Sequence, residues 1–457
     1  MALMPPTDSM FLIPESREQP MHVGSLQLFE LPEGADRSLI RETYEQLLAT
    51  TDIAPIFRRR PHRSWSTAGQ WSWIEDNDVD LEHHVRHSAL PEPGRVRELL
   101  ALTSRLHGTL LDRQRPLWEM HVIEGLTEDR FAVYTKLHHS LMDGVSGLRL
   151  LQRTLSKDPD NRSQPTFWEP VLHKRRKSSK GGGGLTALPG AALHVAADML
   201  KLAPTTLRIL ERGIREQQTM LPLQAPRSML NVPITGARRF AAQSWSFDRI
   251  KAVGKSTGAT ANDVLLAMSA GALRAYMLEQ GQLPDRDLVA MTPVSLRRED
   301  SGDETGNAVG TILCNLATTE TDAGKRLEKI HGSMQQGKDL FAGLDQLQAT
   351  AVSAALMLPL LLTFAPGGLG ALTPPPYNLV ISNVPGPTEP LYWNGAKLQG
   401  IYPLSIPTMY QAMNLTVTSY NGNMEFGLIG CRRSVPHLQR MLIHLEDALA
   451  DLEKAAA

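Results

Sequence analysis

A buried strand that ends in two histidines is the feature that most constrains how this chain can fold. Residues 130–151 read RFAVYTKLHHSLMDGVSGLRLL. The β-forming residues of the first part, with apolar side chains on both faces, predict a buried strand. After the histidine pair, apolar residues recur every three to four positions, which predicts a helix. His138 and His139 therefore lie where a strand gives way to a helix, the position at which α/β proteins expose reactive groups.

Spacing alone leaves the chemistry of this junction open. Histidine has an unperturbed pKa of about 6.5 and can take and give a proton at neutral pH, so the pair suits general-base catalysis. The two rings could equally be packed and hydrogen-bonded without a catalytic role, and His138, His139 and Asp143 are all metal-ligand types. Asp143 could orient a ring or hold the turn by an ion pair, and Gly144 would allow a close approach of the new helix.

Several other stretches, distributed along the chain, carry a resemblance to one family. They are PMHVG at residues 20–24, PLWEMHVIEGL at 116–126, HHSLMDG at 138–144, NDVLLA at 262–267, NLVISNVPGP at 378–387 and EPLYWNGAKL at 389–398. HHSLMDG matches the HHxxxDG motif of the bacterial bifunctional wax ester synthase/diacylglycerol acyltransferases, a branch of the CoA-dependent acyltransferase superfamily. The other stretches look like that family as well. Because the similarity spans nearly the whole chain in the expected order, it is far more specific than the short motif.

The resemblance implies a fold and a division into domains. We expect an α/β fold of two chloramphenicol-acetyltransferase-like domains with a substrate tunnel at their interface. The N-terminal acyltransferase domain, which carries HHxxxDG, would occupy residues 1–165. A flexible basic and glycine-rich linker with a connecting helix would follow at 166–235, and a C-terminal acyltransferase-like domain at 236–457. A chain of 457 residues suits two or three domains.

The resemblance also implies a reaction, in which a fatty acyl group moves from acyl-CoA to a long-chain alcohol or to diacylglycerol. Acyl-CoA would be a co-substrate, and we expect neither a cofactor nor a metal ion. His139 would be the general base, and its imidazolium would protonate the leaving thiolate. His138 would support the geometry. We expect Asp143 to fix the turn of the motif through an ion pair, for example with Arg297.

A helix predicted to begin near Thr260 supplies one more candidate site residue. Thr260 and Asp263 have the spacing of a capping box, so Asp263 has a sufficient structural explanation. Asn262 differs, because a carboxamide in the first turn of a helix could point at a ligand. With the resemblance, Asn262 becomes the candidate oxyanion donor or positioner.

Other functions remain possible on the sequence alone. Condensation domains share HHxxxDG, so the chain could use another acceptor or an acyl-carrier donor, although NLVISNVPGP stands where their usual downstream signatures would be. A catalytically silent lipid-surface protein and a His/Asp metal hydrolase are further alternatives. The sequence contains no Walker-type phosphate loop, no dinucleotide glycine fingerprint and no GxSxG nucleophile elbow. These absences weaken kinase, dehydrogenase and serine-hydrolase interpretations.

A second histidine cluster lies at His83, His84 and His87. No Asp-Gly follows it at the spacing of the motif, and Arg86 stands among the histidines. An arginine there disfavours a bound cation. We therefore expect a structural or domain-packing role for this cluster, with metal binding as the less favoured alternative.

Composition bounds the partners and the location. The formal net charge is −1, so nothing in the overall charge suggests a nucleic-acid partner. Cys314 and Cys431 have no metal or redox spacing, which favours a reducing cytosol. The N-terminus lacks a basic segment followed by an apolar run, so we expect no signal peptide. The oligomeric state is not indicated by any pattern.

Two stretches could contact lipid. The basic run KRRKSSK at residues 174–180 could attract anionic headgroups or the phosphates of CoA, or could be a solvated loop. Residues 346–388 carry no charge, but Pro359, Pro366 and a glycine pair interrupt them, so a full membrane span is rejected. A buried helix is the default interpretation, and an acyl channel or a lipid contact are alternatives. We expect a cytoplasmic protein associated peripherally with the inner membrane or with lipid inclusions.

Overall fold

The structure is a computed structural model that describes residues 2–67, 69–170, 220, 222–295, 309–342, 344, 346–363 and 373–457. Three sequence predictions fall outside these residues. They concern the basic run at 174–180, the connecting helix expected within the linker and the role of Arg297.

At the motif a strand is followed by a helix, as the sequence predicts, and strands and helices are interspersed along the rest of the described chain. In the first half they are β1 (Ala2–Leu3), α1 (Pro6–Leu12), β2 (His22–Glu30), α2 (Ser38–Ala49), α3 (Pro55–Arg58), β3 (Arg59–Arg63), β4 (Trp71–Glu75), α4 (Leu81–His84), β5 (Val85–Ala89), α5 (Val96–His107), β6 (Trp118–Glu124), β7 (Arg130–His138) and α6 (Gly144–Gln152). In the second half they are β8 (Arg238–Ser246), α7 (Phe247–Thr257), α8 (Ala261–Glu279), β9 (Val289–Ser295), β10 (Val309–Asn315), α9 (Ala323–Phe341), α10 (Gln346–Thr363), β11 (Leu379–Val384), β12 (Tyr392–Trp393), β13 (Ala396–Leu404), β14 (Met413–Tyr420), β15 (Asn423–Cys431) and α11 (Arg440–Ala456).

Two six-stranded sheets form the framework. The N-terminal sheet has the order β12-β13-β2-β7-β6-β5, and the C-terminal sheet has the order β10-β9-β11-β14-β15-β8. Within the C-terminal sheet, β11 runs parallel to both β9 and β14. A smaller three-stranded sheet, β1-β4-β3, lies at the N-terminus. The architecture is the predicted α/β fold with two domains.

The C-terminal half also contributes to the N-terminal sheet. Strand β13 pairs antiparallel with β2, from Lys397 opposite Glu30 to Leu404 opposite Gly24. The end of β13 lies so close to β15 that a Cβ on Gly427 would stand 1.9 Å from the carbonyl oxygen of Pro403. Residues 392–404 thus tie the two halves together. The domain boundaries at residues 165 and 235 remain a prediction. The sequence did not suggest that a strand of the C-terminal half would join the N-terminal sheet.

A hydrophobic cluster joins the two sheets. Leu26 and Tyr134 of the N-terminal sheet pack with Phe240 and Ile429 of the C-terminal sheet, and Leu99 of α5 belongs to the same cluster. Each half also has a larger core of its own. Burial of apolar surface from both halves holds the sheets in a fixed relation, so side chains at their interface can form one site.

Local predictions in the second half agree with the structure, with one exception. Thr260 and Asp263 form the predicted capping box at the start of α8, and Asn421 and Gly422, both with positive φ, make the predicted hairpin turn. Helix α10, however, continues through Pro359, where the sequence predicted an interruption. Among the described residues, no helix combines the length and the apolar character needed to cross a bilayer.

Candidate active site

A cavity of about 700 Å³ lies between the two halves of the molecule. Its N-terminal wall comes from β2, β7, α1 and α6, and its C-terminal wall from β9, β11, β14 and the segment that follows β13. Most lining residues are apolar. The polar ones are Ser25, Thr135, His139, Asp143, Ser382, Ser405, Thr408, Gln411, Asn414 and Thr416. Its volume is within the range of roughly 300–1,000 Å³ typical of small-molecule sites.

His139 follows the last residue of β7 and lines this cavity. Its backbone N–H donates to the carbonyl oxygen of Met21 at 2.9 Å. The ring of Phe11 stacks on the imidazole, with centroids 4.0 Å apart and planes inclined by 25°. Nδ1 is buried and has no hydrogen-bond partner among the described residues. Nε2 is therefore the atom through which His139 can exchange a proton with a molecule in the cavity.

Burial sets the protonation state of His139. Desolvation by burial is the main cause that lowers the pKa of this imidazole. The Asp143 carboxylate raises the pKa in part, and the neighbouring His138 lowers it. The resulting pKa is about 4. An imidazole with this pKa is neutral at pH 7 and can accept a proton. The site therefore holds a histidine in the form that a general base requires.

His138 points away from the cavity and is fully buried. The backbone N–H of Ser140 donates to its Nδ1 at 3.1 Å. Nε2 of the ring carries a proton and donates a hydrogen bond to Oε1 of Glu15 at 3.1 Å. His138 thus holds the turn of the motif, and its supporting role in the reaction remains a prediction.

Glu15, which sequence analysis did not single out, anchors this arrangement. Its carboxylate accepts from Arg113 Nε at 2.9 Å and from the backbone N–H of Met21 at 3.2 Å, in addition to His138. Burial alone would raise the pKa of Glu15, but the hydrogen bonds and charges of His138 and Arg113 hold it below its ordinary value. A buried carboxylate therefore connects the segment after α1 to both histidines.

Asp143 caps the helix that follows the motif. Its Oδ1 accepts from the backbone N–H of Ser146 at 2.8 Å, and its Oδ2 accepts from the hydroxyl of Ser146 at 3.0 Å. This N-cap fixes the turn by hydrogen bonds, whereas the sequence led us to expect an ion pair. The proposed partner Arg297 lies outside the described residues. Asp143 also lines the cavity.

Gly144, the first residue of α6, lies on the cavity wall. The close helix approach expected at this glycine is not present, because a Cβ there would meet no atom of the described residues within 4 Å. A side chain at this position would instead occupy space beside the cavity. The structure thus brings His139, Asp143 and Gly144 together at one site.

Asn262 lies elsewhere. It is in the first turn of α8, where its Oδ1 accepts from Nδ2 of Asn383 at 3.4 Å, and it is not part of the cavity wall. Alternation along β11 explains this: Ser382 and Val384 face the cavity, whereas Asn383 lies between them in sequence and points to the opposite side of the sheet. The expectation that Asn262 points at a ligand is therefore not supported by its position.

Asn414 on β14 is a better-placed amide that sequence analysis missed. It lines the cavity on the C-terminal wall, and Thr416 Oγ1 donates to its Oδ1 at 2.9 Å. That bond directs the oxygen of the amide at Thr416 and leaves Nδ2 as a donor. The alternating residues of β14 carry no local signal that Asn414 lines a site. Its position in the cavity depends on β14 facing the other half of the molecule.

A buried ion pair explains part of the PLWEMHVIEGL stretch. Glu119 on β6 and Lys136 on β7 lie 3.0 Å apart, and the lysine also donates to the carbonyl oxygens of Leu106 and Thr109. Burial alone would raise the pKa of Glu119, but its partners, His121 first and then Lys136, lower it to about 2. The pair is satisfied internally and supports the strand that ends at the motif.

The second histidine cluster has structural contacts. His84 stacks on the indole of Trp118 at 4.4 Å, and its Nδ1 contacts the carbonyl oxygen of that residue at 2.7 Å. His87 lies 3.5 Å from Glu124 and stacks on Tyr44. In the part of the chain that the structure describes, no group of three or more His, Cys, Asp or Glu residues is arranged to hold a metal ion. These contacts agree with the packing role expected for the cluster.

Comparison with known proteins places this site in a family. Residues 4–265 match the family model described as "Wax ester synthase/diacylglycerol acyltransferase catalytic domain", and residues 305–453 match the "WS/DGAT C-terminal domain". The chain is 53% identical over 456 residues to "Probable diacyglycerol O-acyltransferase tgs2" of Mycobacterium tuberculosis, covering 100% of this chain and 99% of the relative.

Solved structures agree with the sequence comparisons. The wax ester synthase/diacylglycerol acyltransferase from Marinobacter aquaeolei VT8 superposes with a TM-score of 0.79 at 43% identity, over 100% of both chains. The first condensation domain of the calcium-dependent antibiotic synthetase has a TM-score of 0.60 at 15% identity, covering 100% of this chain and 96% of that one, which shows the shared fold alone. The expected family and fold are confirmed, and the chain belongs to the wax ester synthase/diacylglycerol acyltransferase family.

Proposed function

We propose that this protein transfers a fatty acyl group from acyl-CoA to the hydroxyl of diacylglycerol or of a long-chain alcohol, giving triacylglycerol or a wax ester. The observation that carries the proposal is a neutral, buried His139 on the wall of a mostly apolar cavity between the two halves. The names of the relatives from Mycobacterium and Marinobacter supply the substrate classes. Both acceptors offer one hydroxyl on an apolar body, which fits such a cavity.

Proton transfer to His139 is the first chemical requirement. An alcohol is a poor nucleophile near neutral pH, because it keeps its proton. As the hydroxyl oxygen attacks the thioester carbonyl, Nε2 of His139 takes that proton and the imidazolium forms. The carboxylate of Asp143, which favours the charged ring, stabilises the imidazolium. No covalent enzyme intermediate is needed, because the thioester is already activated.

The tetrahedral intermediate carries a negative oxygen that needs a donor. We propose Asn414 in place of Asn262, because its Nδ2 is left as a donor by the bond from Thr416 and the residue lines the same cavity as His139. A preorganised donor of this kind contributes about 3–4 kcal/mol to transition-state stability. When the intermediate collapses, the C–S bond breaks and the imidazolium returns its proton to the thiolate of CoA.

We also propose that the reaction needs neither a metal ion nor a bound cofactor. Both ring nitrogens of His138 are already engaged, by Ser140 and by Glu15. Both carboxylate oxygens of Asp143 accept hydrogen bonds from Ser146. Of the three residues of the motif that could be metal ligands, His138 and Asp143 are thus engaged in holding the turn, and His139 is left without a hydrogen-bond partner for Nδ1 of its ring among the described residues.

An acceptor panel with a single donor tests the proposal. Palmitoyl-CoA is supplied with dioleoylglycerol, hexadecanol or glycerol, thiol release is followed, and the products are identified by mass. We expect triacylglycerol or palmityl palmitate from the wild-type protein and neither from His139→Ala, with no effect of a chelator. Thiol release without an ester product, or acyl transfer only to an amine or from a carrier protein, would contradict the proposal.

A further inference from the structure

Four exposed apolar residues lie within the first 65 residues of the chain. Leu3, Met10, Ile13 and Trp65 are 48%, 50%, 73% and 100% exposed. Large exposed apolar side chains that occur together mark interaction sites, whereas single ones need no explanation. Contacts between the elements that carry these four residues join them into one surface.

Strand register places the start of α1 beside the β3–β4 hairpin. Leu3 pairs with Ser72, and the N–H of Met4 donates to the carbonyl oxygen of Trp71 at 3.0 Å. Trp71 in turn pairs with Arg63, the last residue of β3 before the hairpin loop. Trp65 lies in that loop, so it extends from the same end of the small sheet at which the chain enters α1.

Arginine–aromatic contacts link the hairpin to the far end of α1. The guanidinium of Arg63 lies 5.2 Å from the centre of the Trp71 ring, and that of Arg113 lies 5.4 Å from the same ring. Arg113 also donates to the carbonyl oxygen of Leu12 at 2.8 Å. Ile13 follows directly. The hairpin loop and the end of α1 therefore belong to one continuous surface, which we call the α1–hairpin surface (residues 3–13 and 63–71).

The α1–hairpin surface meets the cavity. Met10 and Ile13 line the cavity wall although both are at least half exposed. They therefore stand on its rim, close to Phe11, which stacks on His139. A molecule that left an apolar phase at this rim would reach the catalytic histidine without crossing water.

The charge of this region fits an anionic surface. Residues 58–74 contain Arg58, Arg59, Arg60 and Arg63, together with His62 and no acidic residue. Arg63 adjoins the loop of Trp65, the other three arginines lie at the opposite end of β3, and the single acidic residue of α1 is Asp8. Tryptophan is enriched at membrane–water interfaces, where its apolar ring and polar N–H are both satisfied. Basic residues next to such a ring add attraction to anionic headgroups.

We infer that the α1–hairpin surface docks on an anionic lipid surface, with Trp65 and Ile13 inserted at the headgroup level and the rim of the cavity opening toward the lipid. The inference rests on the proposed function, because a lipid acceptor and a lipid product give the cavity a reason to open there. The proposed lipid contact is made by residues 3–13 and 63–71, and it does not depend on the basic run at 174–180.

Fluorescence of Trp65 tests this directly. Of the seven tryptophans, five are buried, namely Trp73, Trp118, Trp168, Trp245 and Trp393, whereas Trp71 is half-buried and Trp65 is fully exposed. Quenchers in the lipid therefore reach Trp65 most readily, and Trp71 on the same surface to a smaller extent. The full-length protein is mixed with phosphatidylglycerol/phosphatidylcholine vesicles whose acyl chains are brominated. We expect quenching that is strongly reduced in Trp65→Phe, where only the half-buried Trp71 remains on this surface, and that weakens with added salt. Unquenched wild-type fluorescence while the protein co-sediments with vesicles would overturn the inference.

Vesicle co-sedimentation with matched variants gives an independent check. Trp65→Ser is compared with Ile443→Ser, which alters an equally conspicuous exposed apolar residue, 62% exposed, on α11. We expect the vesicle affinity of Trp65→Ser to fall by roughly tenfold and that of Ile443→Ser to stay unchanged. Equal affinities of Trp65→Ser and wild type would contradict the docking surface.

Docking on lipid and ester formation are measured separately. Binding to vesicles is measured without turnover, so a protein that docks through Trp65 but forms no ester would refute the proposed function alone. Turnover of octanoyl-CoA with octanol, both dispersed in detergent, should be unchanged in Trp65→Ser, whereas turnover of diacylglycerol embedded in vesicles should fall with affinity. Loss of both activities together would show that the hairpin serves folding or catalysis, and would overturn the inference.

Discussion

The carboxylate of Glu15 lies 3.1 Å from Nε2 of His138, and this contact joins residues separated by 123 positions in the chain. It assigns the two adjacent histidines different tasks. His138 is turned into the protein and held by Glu15 and Ser140, while His139 lines the cavity with its pKa lowered by burial. One histidine of the motif is structural support for the other.

Replacing Glu15 should therefore damage the site from a distance. In Glu15→Gln, His138 keeps a weaker acceptor and Arg113 loses its buried counter-charge. We expect the free energy of unfolding to fall by about 1–3 kcal/mol and turnover to fall with it. Glu45→Gln is the matched control, since Glu45 pairs with Arg41 on an exposed helix face, where the loss should stay below about 1 kcal/mol. Equal effects of the two variants in urea unfolding would contradict the role given to Glu15.

Substitutions at Asp143 separate its cap from its charge. Asparagine caps helices as well as aspartate does, so Asp143→Asn should keep the stability of the wild type, whereas Asp143→Ala should lose about 0.5–2 kcal/mol. Both variants remove the negative charge that raises the pKa of His139, so both should turn over more slowly. Thermal melts and initial rates check this. An Asp143→Asn protein as unstable as Asp143→Ala would instead indicate an ion pair such as the one first expected with Arg297.

Asn414 and Asn262 offer a paired test of the oxyanion donor. Asn414→Ala removes an amide from the cavity wall and should lower kcat by about two to three orders of magnitude with little change in the melting temperature. Asn262→Ala removes a contact with Asn383 behind the sheet and should act mainly on stability. A larger loss of kcat in Asn262→Ala at unchanged stability would restore the assignment made from the sequence.

What the sequence could and could not predict follows the range of each interaction. The strand, the histidine pair and the helix after it, like the Thr260 capping box and the Asn421–Gly422 turn, depend on neighbours within a few residues. Glu15 and Asn414 act through contacts between distant segments, and no periodicity encodes such contacts. Glu15 is one of three acidic residues, with Asp8 and Glu18, in the N-terminal stretch that precedes PMHVG, and nothing local distinguishes it from an ordinary surface carboxylate.

The exchange of β13 into the N-terminal sheet shows the same limit. Its alternating pattern predicts a strand but does not say which sheet receives it. Resemblance to a family supplied the fold and the candidate base His139, because it transfers long-range information that periodicity lacks. It did not predict that Asn262, in the first turn of α8, contacts Asn383 away from the cavity wall, since membership of a motif does not determine what a helix terminus packs against.

The pH dependence of kcat/KM, measured for the wild type, His139→Ala and His138→Ala, tests the central claim that His139 is the general base. Because kcat/KM reports the free enzyme and burial lowers the pKa of His139 to about 4, the wild-type rate should stay level through neutral pH and fall only as the pH drops through about 4. His139→Ala should lose about two to four orders of magnitude and the acid limb with it, whereas His138→Ala should lose less and retain the limb. An acid limb that survives in His139→Ala, or a loss in His138→Ala as large as that in His139→Ala, would contradict the account.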